Sequence, residues 1–147
     1  MGLFFEDFEI GQEFTSAART ITETDVVMFA ALTGDYNSLH TDVEYAKTTQ
    51  FGQRLAHGLL GLSIVSGLMM RSQIFEGTIL VFLSVDNWRF TAPIFIGDTV
   101  HFKMKIAQKK ETSKADRGII IREVSLINQR GEVVQQGQMT VMVRRKT

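Results

Sequence analysis

The apolar segment from Leu55 to Met70 constrains the fold of this chain more strongly than any other part of its sequence. Apolar residues cover most of a helical circumference, and glycines and serines make part of the surface small, so the pattern predicts a helix over about residues 57–71. A helix that is apolar almost all round is usually buried, and small residues let other backbone pack close to it. The segment is short for a membrane span and ends at Arg71, which favours a buried core helix.

The sequence after residue 78 is typical of β-strands. The predicted strands are Thr78–Phe90, Val100–Ile106, Gly118–Asn128 and Glu132–Val143, with Phe14–Ile21 as a further early strand. The Gln129-Arg130-Gly131 turn predicts a hairpin between the last two strands. Helices followed by a run of antiparallel strands around one buried helix predict an α+β fold.

Two shorter helices are predicted ahead of the buried one. Thr22 and Asp25 form a capping box, and the apolar residues that follow predict a helix over about residues 23–33. Gly34 stands where a C-terminal cap belongs. Asp42 predicts the start of a second, shorter helix through Val43, Tyr45 and Ala46.

Length and composition set the remaining bounds. A chain of 147 residues without a visible linker predicts a single domain over residues 1–147. Lys+Arg and Asp+Glu each number 16, and this neutral balance gives no electrostatic case for nucleic acid or a membrane and mildly favours an oligomer. The absence of cysteine excludes disulfides, thiolate metal sites and a cysteine nucleophile. The acidic N-terminus is unlike a signal peptide, so we expect a soluble cytoplasmic protein.

Asp35 and His40 are the first candidates for chemistry. Five residues apart, they would lie about 140° apart around a continuous helix and would not meet. Because Gly34 should end the helix, the following loop can bring both side chains to one point, where a carboxylate and an imidazole could move protons at neutral pH. On spacing alone the alternative stays open: Asp35 and Asn37 as turn residues, and His40 as a surface or core histidine.

The second candidate patch is Ala56-His57-Gly58-Leu59-Leu60, at the predicted start of the buried helix. Unpaired N–H groups there, together with the helix dipole, can hold a developing negative charge, and a glycine lets a substrate carbonyl approach the backbone. The alternative is that Gly58 only allows tight packing. His57 is a second acid/base candidate, although packing or capping is the more common use of a histidine at such a position.

Three ordered motifs together are more specific than either patch. The first comprises Phe29, Thr33, Gly34, Asp35, Asn37, Leu39, His40 and the small residue Ala46; the second is Ala56 to Leu60; the third comprises Phe90, Pro93, Phe95, Gly97, Asp98 and Val100. In this pattern the chain resembles the MaoC-like hydratases and dehydratases, which include the R-specific enoyl-CoA hydratases, over roughly residues 8 to 143. One position departs from the family pattern, because Ser38 stands where relatives carry proline, which removes a constraint on the loop.

The resemblance implies a hotdog fold, in which an antiparallel sheet wraps around a long central helix, and a homodimer with sheets joined. It assigns water activation and proton transfer to Asp35 and His40, ordering of the site to Asn37, and polarisation of a thioester carbonyl to the backbone N–H of Gly58. Ser66, eight residues after that glycine, matches a family serine of the central helix.

The implied activity is that of an (R)-specific enoyl-CoA hydratase or 3-hydroxyacyl thioester dehydratase, a hydro-lyase acting on an acyl-CoA or acyl-carrier-protein thioester. No redox cofactor or metal is needed; CoA or phosphopantetheine enters only with the substrate. His40, His57 and His101 look too dispersed in the sequence to suggest a metal site. Two alternatives remain open: a hotdog acyl-CoA thioesterase, and a non-catalytic subunit that binds acyl thioesters.

Overall fold

The computed structural model describes residues 1–146. Its helices are α1 (Glu23–Thr33), α2 (Ser38–Thr41), α3 (Val43–Lys47) and α4 (Gly58–Arg71). Its strands are β1 (Glu13–Thr15), β2 (Arg19–Thr20), β3 (Ile79–Phe90), β4 (Thr99–Glu111), β5 (Arg117–Ile127) and β6 (Val133–Arg144). The order of the elements agrees with the predicted α+β class, and none of the helices in residues 1–146 is long and apolar enough to cross a membrane.

The strands form one antiparallel sheet packed against α4. Its order is β1-β4-β5-β6-β3, and β2 pairs separately with β4. Buried residues of α4 such as Leu60, Val65 and Leu68 share one hydrophobic core with Phe102 of β4 and Val141 of β6. The predicted arrangement of a sheet around a central helix is therefore confirmed.

The caps predicted from the sequence are present. Thr22 and Asp25 form the reciprocal capping box of α1, and α1 ends at Gly34 with a φ of 76°, in the left-handed region that glycine adopts without strain. The side chain of Asp42 accepts a hydrogen bond from the backbone N–H of Tyr45 and so caps α3. These caps fix both ends of the segment that carries Asp35 and His40.

The early strand differs from its prediction. Phe14–Ile21 was expected to be one strand, but it divides into the short strands β1 and β2, which pair with different parts of β4. The reason lies at Ser16, whose hydroxyl accepts the Phe102 N–H at 2.9 Å, so that a side chain replaces the backbone in the ladder. In addition, β4 continues to Glu111, beyond the predicted end at Ile106.

The central helix is less enclosed than its composition predicted. Leu60, Val65 and Leu68 are buried, but Leu59 and Met70 are 61% and 44% exposed. Ser63 and Ser66 lie between these two at helical spacing and are also exposed, so α4 has one open face. The expectation of burial almost all round is wrong for the single chain, because its sheet covers only one side of the helix.

Candidate active site

His40 reaches the site on a short helix that the sequence did not predict. After Gly34 ends α1, the side chain of Asn37 accepts the Leu39 N–H at 2.9 Å and caps α2, which carries His40. The expected loop is therefore restricted to residues 34–37. Ser38 occupies the first position of α2, where a proline would also be compatible with the helix. Asn37 thus has a structural position that agrees with its expected ordering role.

The tautomer of His40 follows from one hydrogen bond. Its Nδ1 lies 2.8 Å from the carbonyl oxygen of Leu55. A carbonyl oxygen can only accept, so Nδ1 carries the proton and, in the neutral ring, Nε2 keeps a free lone pair. His40 is half-buried, and its ring lines a cavity, so this lone pair belongs to a group suited to act as a general base.

His57 packs against the ring of His40 and is itself buried. It is 2% exposed, its ring centroid lies 3.9 Å from that of His40 in a stacked arrangement, and it also contacts Phe29. Its Nε2 lies 2.9 Å from the backbone carbonyl oxygen of Asp35, so Nε2 donates, and Nδ1 is buried without a partner among residues 1–146. His57 is the N-cap residue of α4 but makes no side-chain cap hydrogen bond. Of the two common roles of such a histidine, packing and capping, only packing is observed.

Asp35 joins the two histidines. One carboxylate oxygen of Asp35, one ring nitrogen of His40 and one of His57 all lie within 4.8 Å of one another. The Asp35 carboxylate also accepts the Asn37 N–H at 3.3 Å, and the side chain stays exposed to solvent. The structure therefore brings together the acid/base pair that the sequence singled out.

The expectation that the histidines are dispersed is wrong for His40 and His57. They form, with Asp35, the one cluster in residues 1–146 whose ligand atoms are close enough to suggest a metal ion. The two imidazole rings stack at a centroid separation of 3.9 Å, with their planes inclined by 30°. Each ring already uses one nitrogen in a hydrogen bond to a backbone carbonyl, which leaves one nitrogen per ring for a proton or a ligand.

A cavity of about 320 Å³ opens beside His40 and Gly58. Gly58 is the first residue of α4, and its N–H has no acceptor within residues 1–146, as expected in a helix's first turn. A Cβ atom at Gly58 would lie 2.8 Å from Cδ1 of Phe90, so a larger residue would force the ring or the helix start to shift. The Gly58 N–H, the helix dipole and the His40 ring therefore border one space of the size of a small-ligand site.

Two residues that sequence reasoning missed hold this helix start in place. Gln135 of β6 donates from Nε2 to the carbonyl oxygen of Gly58 at 2.9 Å, and its Oε1 accepts the indole N–H of Trp88 at 3.1 Å. Gln135 is 2% exposed, and a Cβ at Gly61 would lie 2.2 Å from its Nε2. A polar glutamine within an apolar strand was the only signal in the sequence.

Ser66 does not join the other candidates within one chain. It lies eight residues after Gly58, which is about 12 Å along α4. It lines a second, smaller cavity near the other end of the helix. Ser63 donates its hydroxyl to the Leu59 carbonyl at 2.9 Å, whereas no such bond to the preceding turn is found for Ser66 within residues 1–146.

An antiparallel sheet packed on one central helix, with a carboxylate and an imidazole at the helix start, defines a class of small acid/base domain. The family described as "MaoC like domain" matches residues 7–125. The (R)-specific enoyl-CoA hydratase of Rhodospirillum rubrum is 36% identical over 140 residues, covering 95% of this chain and 91% of the relative. The chain therefore belongs to the MaoC-like family.

Solved structures agree with this assignment. A structure described as a monoamine oxidase regulatory protein from Archaeoglobus is 35% identical, with a TM-score of 0.91, covering 99% of this chain and 97% of the other. A more distant Mycobacterium tuberculosis protein, described as having a double hotdog fold, is 18% identical with a TM-score of 0.83 and covers 99% of this chain and 45% of the other. The second likeness concerns the fold alone, and the predicted hotdog fold is confirmed.

Proposed function

We propose that this chain is a hydro-lyase that reversibly adds water to the 2,3 double bond of an enoyl thioester. The observation that carries the proposal is that a ring nitrogen of His40 lies within 4.8 Å of the Asp35 carboxylate, while His40 and Gly58 line one cavity and the hydrogen bond to Leu55 leaves Nε2 of His40 as the basic nitrogen. Such an addition requires a general base for the water and a hydrogen-bond donor that stabilises the negative charge on the thioester oxygen. The names of relatives, including the (R)-specific enoyl-CoA hydratase, support the same reaction and a (3R)-hydroxyacyl product.

The proposed mechanism uses two sides of the cavity. Asp35 and His40 hold a water molecule, and His40 Nε2 takes its proton as the oxygen attacks C3 of the enoyl chain. The negative charge that moves to the thioester oxygen is received by the Gly58 N–H and the dipole of α4. The proton then passes from the pair to C2. Dehydration runs through the same steps in reverse.

The expected substrate carriers are CoA and acyl carrier protein, which present the same phosphopantetheine arm. Every proton and charge in the proposed reaction is handled by Asp35, His40 and the Gly58 backbone, so the proposal needs neither a redox cofactor nor a metal ion. Asn37 keeps its proposed part as the cap that orients α2. The thioester, rather than a bound cofactor, supplies the electron-withdrawing group.

The proposal is tested by removing each member of the pair. Asp35→Asn and His40→Ala should each reduce crotonyl-CoA hydration by about 10³-fold or more, because proton transfer by a placed group contributes roughly 10² to 10⁴. The loss of enone absorbance measures the rate, and circular dichroism checks the fold. The matched control is His101→Ala, a half-buried histidine on β4, which should retain full activity.

Three outcomes would contradict the assignment. Near-normal rates in both variants would remove the pair from the mechanism. Release of free thiol at an unchanged enone absorbance would indicate a thioesterase. Tight binding of the thioester by the purified chain without any turnover would indicate a non-catalytic subunit.

We further propose that two copies associate through β3. This strand pairs only with β6, and its other edge has no partner within residues 1–146. Its apolar side chains are unusually exposed; they are Leu80, Val81, Phe82, Leu83 and Val85, between 36% and 49%. An unpaired apolar edge invites pairing with another strand, and a homodimer repeats one surface on both subunits.

The dimer is tested by placing a charge on that edge. Leu83→Lys should convert a dimer into a monomer in light scattering, because the lysine would be buried unpaired at the interface. Ile10→Lys, at an exposed apolar position away from β3, should leave the dimer intact. A wild-type chain that is monomeric at high concentration would contradict the proposal.

A further inference from the structure

Arg122 is a buried cation that has no counter-ion within residues 1–146. It lies on β5 and is 1% exposed. Its Nε donates to the Met139 carbonyl at 3.3 Å, the nearest partner of Nη1 is the Met104 sulfur at 3.9 Å, and Nη2 has no partner within residues 1–146. Burial lowers the pKa of the guanidinium to about 10, so the group remains charged at neutral pH. Its face lies 4.9 Å from the ring of Phe75.

Such an arrangement is costly for the fold alone. A desolvated charge is expensive unless a partner of opposite charge and further hydrogen bonds compensate it. The Phe75 ring attracts the cation, most strongly at a desolvated site such as this one, but does not replace an anionic hydrogen-bond acceptor, and a thioether sulfur is a poor acceptor. The guanidinium therefore has unused donors, and the group best able to satisfy them is an anion with two oxygens, because Arg binds carboxylates through paired N–H donors.

Arg122 forms part of the wall of the second cavity, which has a volume of about 40 Å³. The remaining wall is mostly apolar: Met69, Met70, Phe75, Ile79, Phe82, Met139 and Val141. Ser66 contributes a hydroxyl, and Arg122 is the only charged side chain of the lining. A single water needs about 10–15 Å³ of such space, so this cavity admits a small terminal group and not a second long chain.

The open face of α4 extends from the first cavity, at Gly58, to the second, at Ser66 and Met70. The exposed residues of that face are, in order along the helix, Leu59, Ser63, Ser66 and Met70. On β3, Phe90 lines the first cavity, and Phe82 lines the second. An acyl chain whose thioester carbonyl lies at the Gly58 N–H can therefore run over apolar surface toward the guanidinium.

We infer that Arg122 binds a carboxylate at the far end of the acyl chain, so that the preferred substrates are enoyl thioesters with an ω-carboxylate. The inference rests on the proposed function and deepens it by naming the substrate class. The separation of about 12 Å between Gly58 and Ser66 along the helix sets the reach. Because a carbon–carbon bond of about 1.5 Å advances an extended chain by about 1.3 Å, the matching chain has on the order of ten carbons.

The experiment compares pairs of 2-enoyl-CoAs of equal length, from six to twelve carbons, that end in a methyl group or in a carboxylate. The wild type should favour the carboxylate member by about 10- to 100-fold in kcat/KM near ten carbons, mainly through KM, as expected for charge-assisted hydrogen bonds. Arg122→Met should abolish that preference, whereas Arg122→Lys should keep part of it because the point charge remains. Lys105→Met, which removes an exposed cation from β4, should leave it unchanged.

A binding measurement separates this inference from the proposed reaction. Titration calorimetry with saturated acyl-CoAs, which cannot be hydrated, should show the same carboxylate preference in the wild type and its loss in Arg122→Met. Hydration of methyl-ended substrates with no carboxylate preference at any length would overturn the inference and leave the proposed function standing. A carboxylate preference in binding without any hydration would overturn the proposed function and leave the site.

The variants keep the test decisive even if one folds poorly. Arg122→Met replaces an unpaired cation by an apolar side chain, which tends to preserve or raise stability in a buried position. If its circular dichroism nevertheless differs from that of the wild type, the comparison rests on Arg122→Lys, for which an undiminished preference would overturn the paired-donor geometry.

Discussion

The two ends of the central helix differ in whether the buried polar side chains beside them have hydrogen-bond partners. At the start of α4, His40 and His57 each give one ring nitrogen to a backbone carbonyl, and Gln135 holds the carbonyl of Gly58. Near the other end, Arg122 finds no anionic partner among residues 1–146, and its Nη2 donates to none of them. The side chains of the first site are held in place by hydrogen bonds to the backbone, whereas the guanidinium of the second site has donors left over.

This difference agrees with two different tasks, proton transfer at the first site and substrate selection at the second. Proton transfer needs groups fixed before the substrate arrives, because reorganising them during the reaction would raise the barrier. Selection among substrates works through a group that is satisfied only by the correct one, since a wrong substrate then leaves buried donors unpaired. Beyond the pair Asp35 and His40, whose substitutions are described above, variants at and near the two ends of α4 test this difference.

The largest effect is expected from Gly58→Ala, compared with Gly67→Ala on the same helix. A Cβ at position 58 would lie 2.8 Å from the Phe90 ring, whereas a Cβ at position 67 would meet nothing within 4 Å. Moving the helix start or the ring by a fraction of an ångström should lower kcat/KM for enoyl-CoA hydration by about 10²-fold. Gly67→Ala should leave the rate unchanged and stabilise the helix by about 0.5–1 kcal/mol.

A rescue variant identifies the cause. Gly58→Ala combined with Phe90→Leu removes the ring that the new methyl group would strike, so part of the lost activity should return in steady-state kinetics. An unaltered rate in Gly58→Ala alone would show that close approach at this position is unimportant for the reaction.

An intermediate effect is expected on stability, with opposite signs at the two ends. His57→Ala removes a buried ring that contacts Phe29 and His40 and donates to the Asp35 carbonyl, so it should lower the free energy of unfolding by about 2–4 kcal/mol. Arg122→Met removes an uncompensated charge and should leave that free energy unchanged or raise it by about 1–4 kcal/mol. Urea denaturation monitored by circular dichroism measures both. Losses of similar size would mean that Arg122 is satisfied within the folded chain.

The smallest effect concerns an ion pair that ties α1 to the segment before α4. Two hydrogen bonds from Arg54 hold the pKa of the Glu23 carboxyl below its usual range. A lowered folded-state pKa gives stability that is present above the unfolded pKa and is lost as the pH falls through the folded one. Because the Glu23 side chain is 55% exposed, the contribution should stay below about 1 kcal/mol.

Glu23→Gln checks this sign. Its free energy of unfolding should lie slightly below that of the wild type at pH 7, and the two should converge at pH 3 or in 1 M salt. A difference that grows on acidification would mean that the pair opposes folding.

Local chemistry made much of the fold predictable. The bounds of α1 follow from the Thr22 capping box and Gly34, and the hairpin of β5 and β6 follows from a short turn between two apolar runs. The division of Phe14–Ile21 was not predictable, because it depends on a hydroxyl of Ser16 that meets a strand distant in sequence. The short helix α2 was missed because only its cap at Asn37 distinguishes it from a turn.

Caps and periodicity in the sequence identified an α+β fold, because these signals act over a few neighbouring residues, and the resemblance to the MaoC-like family, carried by three ordered motifs, implied the hotdog fold and the pair Asp35 and His40. The tertiary structure was needed to show which nitrogen of His40 is free, that His57 stacks on its ring, and that Arg122 lies near the far end of α4 without a counter-ion within residues 1–146. Each of these depends on groups 15 or more positions apart along the chain. Contacts at such separations are fixed by how the sheet packs on the helix, which no local pattern encodes.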